Sequence, residues 1–129
     1  MSTESTVLRS IRLRMAKLKL LCLRYTVGTF FAPDGTIVHV GEKGVSDLIG
    51  ITPHVVTQED VGRTVGIFTA LEVKRPKGGR VRAEQGPFLR VVNANGGLGA
   101  VVRSEEEAEE VVRLKWDSPL VRKWKMEEL

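Results

Sequence analysis

The sequence predicts a mixed α/β protein, a β-sheet with helices packed against it. Apolar residues recur at three- and four-residue steps in some segments and alternate with polar residues in others, so both helices and strands are expected. Its 129 residues, 42% hydrophobic and 28% charged, are typical of a single globular domain. The elements follow in the order α-β-β-β-β-α-β-α, which is typical of a sheet flanked by helices.

Residues 4–22 are predicted to form an amphipathic, cationic helix. Its apolar positions are Val7, Ile11, Met15, Leu18 and Cys22. Basic residues interrupt this apolar stretch, so neither a signal-peptide core nor a membrane span fits. Cys22 is the single cysteine and cannot form an internal disulfide. We therefore expect a reducing, cytoplasmic setting and no membrane partner.

Four strands are predicted next. Residues 25–31 and 36–40 have β-propensity and flank the turn signal Pro33-Asp34-Gly35, which predicts a hairpin. Residues 45–49 are an apolar run with an acid at its centre, and a polar loop follows. Residues 64–74 form the strongest strand pattern in the chain.

The second half predicts helices around one more strand. Residues 83–95 are predicted to be helical and end at a glycine signal, and residues 98–103 are predicted to be a strand. Ser104 and Glu107 form a capping-box pattern that opens a helix over residues 104–115.

The C-terminal residues predict a short helical tail. Ser118 precedes a proline, which favours a helix start, and Trp116 and Trp124 are spaced to share a face with a leucine between them. We place the main domain at residues 1–115 and the tail at residues 116–129. Tryptophans in such a pattern more often indicate packing or an oligomer contact than base stacking.

The charges are unevenly distributed. The net charge is only +4, yet residues 1–24 hold six basic residues and one acid, and residues 72–82 hold five and one. Five glutamates within residues 104–112 offset much of this total. A polyanion such as nucleic acid would bind the local basic regions, although solvated surfaces explain the charge pattern equally well.

Four polar residues are predicted near the ends of core elements. Glu72 and Lys74 alternate along one strand and therefore leave the same face. Asp47 lies on an otherwise apolar strand face, and Gln85 lies on the apolar face of its helix. Asp47 could equally be a turn or cap residue, and Glu72 with Lys74 could be a surface ion pair. If the groups converge, the two carboxylates suit Mg²⁺, and a neighbouring lysine suits phosphodiester hydrolysis.

An ordered series of motifs resembles one nuclease family. The segments are Gly44-Val45-Ser46-Asp47-Leu48-Ile49-Gly50, Ala70-Leu71-Glu72-Val73-Lys74-Arg75-Pro76-Lys77-Gly78, Glu84-Gln85, Phe88-Leu89, Gly96-Gly97 and Ala100-Val101-Val102-Arg103-Ser104. Together they resemble the VRR-NUC domain, the virus-type replication-repair nucleases within the PD-(D/E)xK superfamily, and specifically its stand-alone phage and bacterial members. The resemblance spans roughly residues 4–112 and implies a restriction-endonuclease-like core with a central mixed β-sheet flanked by helices.

The resemblance also implies a site. Asp47 and Glu72 would bind the divalent metal, Mg²⁺ or Mn²⁺, with the Val73 backbone carbonyl as a third ligand. Lys74 would position or activate the attacking water, and Gln85 would support the site from its helix.

Glu4 matches an acid that relatives of this fold often carry on their first helix. Two features depart from the pattern: Arg82 stands where a helix-capping serine is common, and Gly86-Pro87 interrupts the helix after Gln85.

The function implied is a metal-dependent endonuclease acting on structured DNA, as a Holliday junction resolvase does. The partners implied are branched DNA and a second copy of the chain, with the tail as part of the dimer contact and no further cofactor. The residues expected to contact DNA are Arg75, Lys77, Arg80, Arg82 and Lys17. Flap or restriction-like cleavage, DNA binding without catalysis and RNA binding remain alternatives.

Overall fold

The computed structural model describes residues 3–125 and confirms the mixed α/β class. The chain divides into two compact units, Met1–Thr52 and Pro53–Leu129. The first two residues and the last four, which end the predicted tail, lie outside the described residues.

The first unit contains one helix and four strands. They are α1 (Glu4–Lys17), β1 (Leu21–Arg24), β2 (Gly28–Phe31), β3 (Ile37–Val40) and β4 (Leu48–Ile51). The strands β1 and β4 pair antiparallel, and so do β2 and β3.

The prediction of one helix over residues 4–22 is wrong at its C-terminal end. The helix stops at Lys17, and Lys19 has a left-handed backbone with φ of 60°. Cys22 then lies in β1, opposite Gly50. The helical spacing of apolar residues continued past the helix, but pairing with β4 decided the conformation of this segment.

The predicted hairpin turn is confirmed. Ala32 donates its backbone N–H to the carbonyl of Thr36, and Gly35 has φ of +87°, which favours glycine. The Asp34 carboxylate accepts the N–H of Thr36 at 2.9 Å. Hydrogen bonding to Thr36, first through its side chain and then through this backbone N–H, lowers the pKa of Asp34. The aspartate therefore fixes the turn locally, as its pattern indicated.

The second unit is a strand–helix–strand arrangement followed by two helices. Its elements are β5 (Thr69–Val73), α2 (Gln85–Ala94), β6 (Leu98–Val102), α3 (Glu105–Leu114) and α4 (Pro119–Arg122). β5 and β6 are parallel, with Glu72 opposite Val101, and α2 forms the crossover that parallel strands require. The predicted strand over residues 64–74 is shorter than expected, since it begins at Thr69.

The core of the second unit is built around β6. Three of its residues, Leu98, Ala100 and Val102, are at most 3% exposed and pack with Val111 of α3 and Val121 of α4. The strand is covered by helices, which explains why it is apolar throughout rather than alternating.

Gly99 allows α2 to pack closely on β6. A Cβ at this position would lie 2.8 Å from the carbonyl oxygen of Leu89, which is backbone and cannot move aside. This close packing fixes α2 against β6, the strand that follows it.

The strands of the described residues pair as three two-stranded ladders. This differs from the single central β-sheet that the resemblance implies, since β5 pairs with β6 in a ladder of two strands. The strands in these ladders are short, with four or five residues each, so each strand buries little surface.

Within the predicted tail, the described residues pack onto the second unit. Trp124 is 9% exposed, and a Cβ on Gly86 would lie 3.1 Å from its ring. Gly86 and Pro87, which interrupt the sequence pattern, are accommodated in the first turn of α2. The glycine therefore makes room for the tryptophan of the tail.

Asn93 joins α2, β6 and α4 by side-chain hydrogen bonds. Its Nδ2 donates to the carbonyls of Gly99, Val121 and Trp124 at 3.0 to 3.3 Å, and its Oδ1 accepts the N–H of Gly99 at 2.6 Å. These backbone groups are partly buried and would lose their partner without the amide.

We expect Asn93→Ala to lower the free energy of unfolding by about 2 kcal/mol, because several backbone groups lose their hydrogen bonds. Urea unfolding followed by circular dichroism measures this loss. Asn95→Ala is the matched control, since Asn95 makes one exposed bond to the Val91 carbonyl. If the two variants lost the same free energy of unfolding, the hydrogen bonds of Asn93 would stabilise the protein no more than the single exposed bond of Asn95.

Candidate active site

The Glu72 and Lys74 side chains lie together at the end of β5. The Lys74 Nζ is 3.2 Å from the Glu72 Oε1, as alternation along one strand predicts. The Lys74 side chain is 13% exposed and that of Glu72 is 31% exposed. An ammonium group is thus held largely out of water beside a carboxylate that solvent can still reach.

Gln85 completes the cluster from the first residue of α2. Its Oε1 accepts the backbone N–H of Arg82 at 2.8 Å, and its Nε2 donates to the Glu72 Oε1 at 2.7 Å. A backbone N–H can only donate, so it requires the amide oxygen and leaves the NH₂ group facing Glu72. The orientation of the amide is therefore determined by its neighbours.

The cluster opens into a cleft between β5 and α2. The cleft has a volume of about 440 Å³ and is lined by Ala70, Leu71, Glu72, Glu84, Gln85, Phe88 and Leu89. Glu72 and Gln85 are thus polar groups at the edge of a mostly apolar cleft, the usual chemistry of a binding site.

The oxygen atoms near Glu72 suit a hard divalent cation. Lys74 and Gln85 both bind the Oε1 of Glu72, whereas its Oε2 makes no hydrogen bond within residues 3–125. The Lys74 N–H donates to the Val102 carbonyl in β6. In a parallel strand the backbone groups of successive residues point alternately to the two edges. Because those of Lys74 point toward β6, the Val73 carbonyl points toward the opposite edge of β5. A carboxylate oxygen and a carbonyl oxygen are therefore both available at this strand end.

Asp47 and Glu4 belong to the first unit. Asp47 immediately precedes β4 and is exposed, and its carbonyl accepts the N–H of Tyr25 at 2.9 Å. The predicted apolar strand face around Asp47 is wrong, since Val45 before it is also exposed and lies outside the strand. Glu4 is exposed in the first turn of α1, where the helix dipole favours an acid.

The basic residues predicted to contact DNA are all exposed. Four of them follow β5: Arg75, Lys77, Arg80 and Arg82. Lys17 belongs to the first unit and lies in the last turn of α1. Exposed cations on a turn beside the cleft suit contacts with phosphate groups.

Arg103, which the sequence did not single out as a site residue, holds this basic turn in place. Its Nη1 donates to the carbonyls of Arg75, at 3.0 Å, and Gly78, and its Nη2 to that of Gly79 at 3.4 Å. Residues that follow two paired parallel strands lie at the same edge of the sheet, so the position of Arg103 after β6 places it near the turn after β5. This could be inferred only once β5 and β6 were known to pair.

We expect Arg103→Gln to loosen the turn, because a guanidinium that binds three backbone carbonyls is replaced by a shorter, neutral amide. Amide hydrogen exchange over residues 75–80 should become about tenfold faster, equivalent to ~1.4 kcal/mol. Arg113→Gln is the control, since Arg113 is exposed and, within residues 3–125, forms an ion pair with Glu109 on its own helix and with no other acid. Unchanged exchange in the turn of Arg103→Gln would contradict the assignment.

A second charged cluster lies in the loop before β5. The carboxylate of Asp60 accepts the backbone N–H of Thr57 at 2.9 Å and lies 2.8 Å from the His54 Nε2. These hydrogen bonds, with that of Thr57 the largest, lower the pKa of Asp60. The contact of His54 was not predicted from the sequence. The short turn at Gln58–Asp60 is capped by Asp60 together with Thr57.

Comparison with protein-family models, with curated proteins and with solved structures finds no match to this chain. In the described part of the chain, no helix has the length and hydrophobicity needed to cross a membrane.

Proposed function

We propose that the protein is a Mg²⁺- or Mn²⁺-dependent endonuclease that hydrolyses phosphodiester bonds in structured DNA. The observation that carries this proposal is the cluster at the end of β5. There the Glu72 carboxylate contacts both the Lys74 ammonium and the Gln85 amide, and Glu72 and Gln85 line one cleft. Ion pairs add little net stability to a fold, because the cost of desolvating the charges offsets their attraction, so stability alone gives little reason for this one.

Each residue has a role in the proposed reaction. Glu72 and the Val73 carbonyl would hold the cation, which when bound neutralises charge on the phosphate and lowers the pKa of water. Lys74 stabilises the negative charge that develops on phosphate oxygens and assists proton removal from the attacking water. Gln85 keeps the Glu72 carboxylate oriented. Asp47 enters the proposal as a second ligand from its sequence context alone.

We further propose that the fold is a restriction-endonuclease-like core and that the protein is a homodimer. Its substrate would be a DNA junction or flap, with Glu4 as an accessory acid. Support comes from the ordered series of motifs and from the β5–α2–β6 arrangement, in which residues of the middle motifs line one cleft.

DNA binding without catalysis is the second candidate. The 3.2 Å contact between Glu72 and Lys74 is also what a structural ion pair would show, and the exposed basic turn suits phosphate contacts in either case. The two candidates differ in whether bonds are broken.

Labelled four-way junction, flap and linear duplex of matched sequence test the proposal, each incubated with the purified protein and Mg²⁺ or Mn²⁺. We expect cleavage of a branched substrate in preference to the duplex. Preferred cutting of the linear duplex would favour a restriction-like activity. Binding of all three DNAs without any cleavage would favour the non-catalytic candidate.

A further inference from the structure

The C-terminal part of the second unit is strongly cationic. Residues 113–125 contain five basic side chains against one acid, Asp117. The basic residues are Arg113, Lys115, Arg122, Lys123 and Lys125. Even when Glu127 and Glu128 are included, basic residues outnumber acids five to three. A local excess of this kind attracts a polyanion.

Trp116 lies in this cationic segment with its ring half-exposed. Its side chain is 52% exposed, and its Nε1–H donates to the Gly96 carbonyl at 3.3 Å. The polar edge of the indole is therefore already satisfied by the protein. The hydrogen bond also orients the ring, which leaves an aromatic surface available for an external group.

The ring of Trp116 borders a cleft that differs from the one beside Glu72. Its volume is about 470 Å³, and its lining is Asn93, Trp116, Val121, Arg122 and Lys125. Arg122 is held in position, because its Nε donates to the Trp116 carbonyl at 3.4 Å and its Nη2 lies 3.2 Å from the Asp117 carboxylate. Its side chain is nevertheless 64% exposed, so it can still contact a phosphate.

Trp124, in contrast to Trp116, has little ring surface free for an external group. It is buried, with the Arg90 guanidinium 5.0 Å and the Lys123 ammonium 5.7 Å from its ring centre. Its ring is thus occupied by groups of the same unit, whereas Trp116 combines an oriented, exposed ring with neighbouring cations. An aromatic surface beside basic side chains is the usual composition of a site for unpaired nucleic acid.

We propose that this cleft binds an unpaired DNA strand, with one base stacked on Trp116 and with Arg122 and Lys125 at the adjacent phosphates. The inference rests on the proposed function in taking DNA as the ligand. A branched DNA substrate offers unpaired or easily unpaired bases near its branch, so the cleft would hold a strand outside the catalytic cluster. Stacking tolerates any base, so this contact adds affinity without sequence preference.

The test uses the full chain, a fluorescently labelled oligothymidylate and EDTA, so that cleavage plays no part. We expect Trp116→Leu to weaken binding about tenfold by anisotropy, and Trp116→Phe to restore part of the affinity. An oligonucleotide of the same length with abasic sites has no base to stack on the ring. It should therefore bind the wild-type protein and Trp116→Leu with equal, weak affinity. Phe31→Leu is the control, because Phe31 is an exposed ring elsewhere, 72% exposed in the first unit.

Equal affinity of wild type and Trp116→Leu for oligothymidylate would overturn the inference, and so would equal binding of the abasic oligonucleotide by wild type. Circular dichroism of each variant establishes that it is folded. Because strand binding is measured without metal, its failure is distinguishable from a failure of the nuclease proposal, which would appear as an absence of cleavage.

Discussion

Glu72→Gln is expected to lower the single-turnover rate of DNA cleavage by about a thousandfold or more. The amide has the shape of the carboxylate but lacks the negative charge that a divalent cation requires. DNA affinity should stay within about twofold, because Glu72 carries no positive charge to a phosphate. Cleavage is measured with protein in excess over labelled DNA, and affinity by anisotropy with Ca²⁺ in place of Mg²⁺.

The control for this variant is Glu109→Gln. Glu109 is exposed on α3 and pairs with Arg113 at 2.8 Å, so the same chemical change is made away from the cleft. The control should cleave as wild type does. If Glu72→Gln also kept the wild-type rate, Glu72 would be a structural residue.

Lys74→Met is expected to slow cleavage by roughly a hundredfold to a thousandfold while DNA binding is retained. Methionine preserves the apolar stem of a side chain that is only 13% exposed, and it removes the ammonium group 3.2 Å from Glu72. The effect should be on the rate at saturating protein rather than on the concentration needed for saturation.

Lys77→Met provides the contrast for Lys74→Met. Lys77 is exposed on the turn after β5, so its ammonium is placed to contact phosphate rather than Glu72. We expect weaker binding and a slope of log affinity against log salt that is smaller by about one. A Lys74→Met defect that disappears at high protein concentration would place Lys74 among the phosphate-binding residues instead.

The part of the site that lies on one strand could be predicted from the sequence. Strand alternation alone places Glu72 and Lys74 on one face, and the structure confirms this by their 3.2 Å contact. Gln85 was predicted to need a polar partner on its helix face. The structure supplies that partner as Glu72, through a helix that begins at Gln85 despite the glycine and proline that follow.

The contacts that depend on pairing between distant segments could not be predicted. The end of α1 was misplaced because the apolar residues up to Cys22 fit a helical period. Only the pairing with β4 shows that Leu21–Arg24 form a strand. Arg103 was missed for the same reason, since its contacts with the turn after β5 depend on β6 pairing beside that strand. The interpretation of Asp47 assumed a strand over residues 45–49, whereas β4 begins at Leu48, one residue after Asp47.

The metal dependence of cleavage by the unaltered protein tests the central claim most directly. A labelled four-way junction is incubated with the full chain in Mg²⁺, Mn²⁺, Ca²⁺ or EDTA, and the products are resolved on a denaturing gel. We predict cleavage with Mg²⁺ or Mn²⁺ and none in EDTA. Cleavage that persists in EDTA, or junction binding without cleavage under every metal condition, would contradict the assignment of Glu72, Lys74 and Gln85 as a metal-dependent nuclease site.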